Sequence, residues 1–86
     1  MGHILAKLEN ASLAVITDIL KKDAPEHARQ GMYLEHVWQN ADNASEVLFL
    51  FRVDNLARAR AYVEKNHQEA RQKNPEANLP EMIFLE

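Results

Sequence analysis

The sequence predicts an α+β domain in the order β-α-β-β-α-β, with a four-stranded antiparallel sheet and two helices on one face. Three observations predict it. The stretches 2–9 and 32–39 alternate apolar and polar residues with a period of two, as half-buried strands do. The run Val47-Leu48-Phe49-Leu50-Phe51-Arg52-Val53 is β-branched, aromatic and Leu-rich, and too short for a typical helix. Two further segments repeat apolar residues at helical spacing and end at glycine or proline.

Each element follows from local chemistry. In the first strand, Ile4, Ala6 and Leu8 share one face. Asn10-Ala11-Ser12 offers helix caps, and Leu13, Ile16, Ile19, Leu20 and Ala24 form an apolar stripe. Pro25 would remove a hydrogen bond inside a helix, and Asp23-Ala24-Pro25-Glu26 has the form of a capping box. A break is therefore expected near Lys22–Asp23, followed by a short segment that stops at Gly31. In the second strand, Met32, Leu34, His36 and Trp38 share a face under strict alternation. The stretch 40–45 has the composition of a hairpin loop. Asp54-Asn55 caps the second helix, whose stripe is Leu56, Ala59, Val63, His67 and Ala70, with Tyr62 alongside. Asn74-Pro75 ends it, Pro80 precedes the last segment, and 81–86 is the fourth strand.

This order is the split β-α-β, or ferredoxin-like, pattern. Right-handed crossovers put both helices on one sheet face. Ile4, Ala6 and Leu8, the Met32–Trp38 set, and Val47, Phe49, Phe51 and Val53 are expected to face them. The other face carries Leu5, Val37, Leu48 and Leu50 together with Lys7, Tyr33, Glu35 and Arg52. That surface is too apolar for water and too polar for a plain core, which fits a homodimer interface. A two-fold pairing would let Lys7 or Arg52 meet Glu35.

Size and composition set the remaining bounds. Residues 1–86 make a single domain, and a chain this short buries only roughly 60–65% of its unfolded surface. Without cysteine, a disulfide or a thiolate zinc site is excluded, and oligomerisation is the remaining staple. A net charge of −3 gives no electrostatic ground for nucleic-acid binding. No apolar stretch is long enough to span a membrane and no signal-peptide pattern is present, so a cytoplasmic protein is expected.

The stretch Val37-Trp38-Gln39-Asn40-Ala41-Asp42-Asn43-Ala44-Ser45-Glu46-Val47-Leu48-Phe49-Leu50-Phe51 resembles a small group of dimeric α/β-barrel proteins. So do Asp54-Asn55-Leu56-Ala57-Arg58-Ala59-Arg60-Ala61 and Pro80-Glu81-Met82-Ile83-Phe84-Leu85-Glu86. In that superfamily two ferredoxin-like sheets pair face to face in one barrel. Its members include cofactor-independent antibiotic-biosynthesis monooxygenases, muconolactone isomerases, haem-degrading monooxygenases and stress-responsive barrels. The group nearest in pattern is mostly of unknown function. The resemblance thus implies fold and dimer far more strongly than reaction. One stretch departs from the group, where a His often precedes the Ala-Pro pair and an Arg soon follows. Here it reads Asp23-Ala24-Pro25-Glu26-His27.

The candidate chemistry is imidazole chemistry. His36, His67 and His27 are expected to border one cavity between sheet and helices, walled by Trp38, Phe49, Phe51 and Tyr62. Such a cavity suits an aromatic or polyketide-like ligand, with imidazole as proton shuttle at neutral pH. Two readings stay open. One is a monooxygenase, isomerase or cyclase with His36 as acid/base and His67 assisting. The other is a non-catalytic ligand-binding or structural homodimer in which His36 is simply paired in the core. No cofactor is expected. Haem would need His67 as axial ligand, and a stripe with one His is commoner without haem. No metal is expected either, since the histidines lie on separate elements without a carboxylate partner.

Overall fold

A computed structural model describes residues 2–86, so Met1 lies outside the described residues. The elements are β1 (Gly2–Leu8), α1 (Leu13–Arg29), β2 (Met32–Asn40), β3 (Asn43–Val53), α2 (Leu56–Lys73) and β4 (Glu81–Leu85). The strands form one antiparallel sheet in the order β2-β3-β1-β4. This is the ferredoxin-like fold, with β1 and β3 central and β2 and β4 at the edges.

Period-two burial holds along β1 and along β3 from Glu46 to Val53. Gly2, Ile4, Ala6 and Leu8 of β1 are buried, as are Val47, Phe49, Phe51 and Val53 of β3. Leu20 of α1 and Ala59 and Val63 of α2 complete the core on that side. Met82 and Phe84 of β4 pack against it, opposite Ala6 and Ile4. Ile83 and Leu85 therefore join Leu5, Leu48 and Leu50 on the open face.

The second strand departs from strict alternation. Leu34 pairs with Phe51, but His36 pairs with Leu50, so Glu35 is an extra residue in a β-bulge. Past the bulge every side chain changes face. Val37 lies opposite Phe49 and packs on the core. His36 and Trp38, expected toward the helices, lie opposite Leu50 and Leu48 on the open face, and Trp38 is 46% exposed. The physical reason is direct. Strict alternation would bury an imidazole and expose a valine, whereas one extra residue reverses both. An edge strand has no neighbour on its outer side, so the extra residue disrupts only one ladder.

The first helix also differs from expectation. It runs unbroken through Pro25, without the expected break near Lys22–Asp23. Residues 21–25 are all exposed, so the Lys21 carbonyl left without a proline N–H is open to water. The Asp23–Glu26 capping box is not formed. Glu26 instead accepts from Arg29 Nε and Nη2, at 2.9 and 2.7 Å, and those bonds lower its pKa. The apolar stripe is narrower than its spacing indicates. Leu20 is buried and Ile16 partly so, while Leu13, Ile19 and Ala24 are exposed.

Ends and turns use the residues that their geometry demands. Gly31, at φ 70°, turns the chain from α1 into β2, where Asp54 lies 3.4 Å from where a Cβ would stand. Asn55 Oδ1 accepts from Arg58 N at 3.0 Å and caps α2. Arg58 Nη2 donates to the Arg29 carbonyl at 2.7 Å, tying the start of α2 to the end of α1. The β2–β3 hairpin is tighter than expected, since Asn40 already pairs with Asn43. Among the described residues no helix is long and apolar enough to cross a membrane.

Candidate functional site

Both helices and the sheet line a cavity of about 170 Å³. Its walls are apolar: Leu20, Met32, Phe49, Phe51, Val63 and Met82. Into them α1 brings Asp23 and His27, four residues apart and so on one helix face. In the same way α2 brings Tyr62, Asn66 and His67. Of the residues singled out in the sequence, His27, His67, Tyr62, Phe49 and Phe51 meet here. His36 and Trp38 do not, because the bulge at Glu35 carries them to the opposite side of the sheet.

The two imidazoles are held by packing. The His27 ring meets the Phe51 ring edge-on, with centroids 5.1 Å apart. Burial among apolar groups pushes the pKa of His27 down, against a weaker upward pull from Asp23 and Glu26. Burial also pushes His67 down, helped by the positive charge of Arg71. Both imidazoles are therefore neutral at pH 7, each with one nitrogen free to accept a proton.

Asp23 and Asn66 line the cavity although the sequence pattern does not mark them as site residues. Asp23 was assigned to a helix cap, and nothing in the local pattern separates Asn66 from a solvated helix position. For Asp23 a signal did exist. Once α1 is continuous, its spacing of four from His27 places both on the inner edge of one helix. Among the described residues no three His, Cys, Asp or Glu side chains converge to hold a metal. Two larger adjoining grooves share a histidine with this cavity, one of about 460 Å³ carrying His67 with Arg71 and one of about 290 Å³ carrying His27. A third, of about 470 Å³ beside Leu56 and Phe84, contains no histidine, and Arg60 lies over its Phe84 ring at 4.3 Å.

The open face of the sheet has a different character. Its apolar side chains are Leu5, Leu48, Leu50, Ile83, Leu85 and Trp38, none of them buried. His36 stacks on Trp38, with centroids 4.9 Å apart and planes at 18°. Within the chain, Glu35 Oε1 reaches His3 Nε2 at 3.3 Å. Arg52 is held within its own chain, at 3.2 Å from Asp54 Oδ1 and over the Tyr33 ring. No protein-family model, curated protein or solved structure matches the chain. Function therefore rests on the cavity and the open face.

Proposed function

We propose that the chain is a homodimeric small-molecule protein of the dimeric α/β-barrel kind, which binds a single-ring aromatic compound between sheet and helices. The observation that carries this reading is the convergence of His27, His67, Tyr62, Phe49 and Phe51 on one cavity. Its volume sets the ligand size. About 150 Å³ takes a benzene-sized guest, whereas drug-sized ligands occupy roughly 300–1,000 Å³. A single ring matches the space.

Two neutral imidazoles on facing helices suit proton transfer. One neutral imidazole removes a proton from the ligand and, as the imidazolium so formed, returns that proton at another atom, so an isomerisation balances without an oxidant. The acid/base pair is then His27 and His67, and His36 belongs to the open face. A second copy of the chain covers that face, where Leu5, Leu48, Leu50 and Ile83 lie beside both signs of charge, Lys7 and Arg52 with Glu35 and Glu81.

Thermal unfolding with phenol and other single-ring compounds tests the reading. A rise in melting temperature is expected that His67→Ala abolishes and His36→Ala retains. Loss of the rise in His36→Ala alone would move the site to the other side of the sheet.

A further inference from the structure

We infer that Asp23 sets the charge selectivity of this cavity, which admits uncharged hydroxylated rings such as phenols and excludes ring carboxylates and phosphates. The inference rests on the cavity being the ligand site. It follows from what lines the space. Among the cavity residues the only fixed charge is the Asp23 carboxylate, and neither lysine nor arginine is present. A carboxylate entering there would lose its hydration without meeting a cation and would face a like charge.

The remaining polar groups suit a hydroxyl. Neutral imidazole offers an acceptor to a phenolic O–H, and Asn66 and the Tyr62 hydroxyl each offer donor and acceptor. Among the described residues, Tyr62, His27 and His67 make no hydrogen bond to another side chain. Each is thus available to a ligand.

Arg71 acts on His67 but lines the adjoining groove rather than the cavity. Glu64 and Glu81 line that groove too, so its fixed charge is net negative. An anion approaching along it meets two carboxylates for one guanidinium. The selectivity therefore does not depend on Asp23 closing the cavity. It depends on one negative charge where an anion-binding site would place a positive one.

The test compares phenol with benzoate on the full chain, by calorimetric titration or melting shift at neutral pH. Phenol is expected to bind and benzoate to bind at least tenfold more weakly. Asp23→Asn should raise the benzoate-to-phenol affinity ratio by roughly fivefold, as removal of one partly screened charge does. Asp23 is exposed on a helix, so the variant folds. Equal binding of benzoate and phenol, or an unchanged ratio in Asp23→Asn, overturns the assignment. So does benzoate binding that disappears in Arg71→Gln, since it would make the arginine the anion site. If no ring compound shifts the melting temperature, the cavity is not a ligand site and the selectivity falls with it.

Discussion

Deleting Glu35 tests the bulge that decides which face of the sheet His36 and Trp38 occupy. With Leu34 opposite Phe51 and His36 opposite Leu50, Glu35 is the one residue of β2 without a partner in the ladder. Its removal leaves a regular strand in which His36, Val37 and Trp38 keep their faces. The loss is then small. The His3–Glu35 contact joins two side chains that are each more than a third exposed, and such a pair contributes about 0–1 kcal/mol. Straightening an edge strand adds little, so the deletion should cost about 1 kcal/mol, a melting shift of roughly 4–8 °C. Strict alternation predicts the opposite. Trp38 would be a core residue, and deletion would eject it and draw Gln39 inward, costing about 3–5 kcal/mol, as for truncation of a buried aromatic. Urea unfolding at fixed protein concentration distinguishes the two, with Glu35→Ala alongside to isolate the His3 contact. A loss above about 3 kcal/mol, or a deletion protein that does not fold, would refute the bulge.

The remaining predictions concern stability. Phe51 is 2% exposed and touches both His27 and Phe49, so Phe51→Ala should cost about 3–5 kcal/mol in urea unfolding. Pro25→Ala should stabilise the chain by about 2 kcal/mol in the same assay. It restores a helix-interior hydrogen bond worth about 3 kcal/mol by propensity, less about 1 kcal/mol for the freer unfolded chain. Asn55→Ala removes the cap of α2 and should cost about 1 kcal/mol in thermal unfolding. Stability should also depend on pH. His27 and His67 have folded pKa values below the ordinary 6.5, so the unfolded chain takes up protons first. The contribution of neutral His27 and His67 is complete above the unfolded pKa and is lost as pH falls through and below it. Denaturation midpoints should thus fall between pH 7 and about pH 5, and less steeply in His27→Gln.

The order of elements was legible because β1 and β3 are central strands with apolar neighbours on both sides, which impose the period of two. The edge strand was less legible. The apolar positions Met32, Leu34 and Val37 already break that period, and the polar pair Glu35-His36 sits in the break. Strict alternation ignores that break and turns Trp38 toward the core. The open face supplies a surface where a tryptophan stands half in solvent. Pro25 misled in the other direction. Proline breaks helices most readily when the freed carbonyl is buried, and solvent exposure across residues 21–25 lets water take that carbonyl, so the helix continues at a cost that Pro25→Ala would recover. His67 follows from the helical spacing of α2, whereas His27 was expected in a separate short segment after Pro25. Asp23 was not legible, because its role depends on α1 being continuous.

Whether a second copy covers the open face is decided by sedimentation velocity of the full chain at micromolar concentration. A covered face gives a species of twice 9.9 kDa that persists on dilution and dissociates when Leu50→Lys places charge at its centre. A single species of 9.9 kDa, with Leu48 and Leu50 open to solvent, would contradict it.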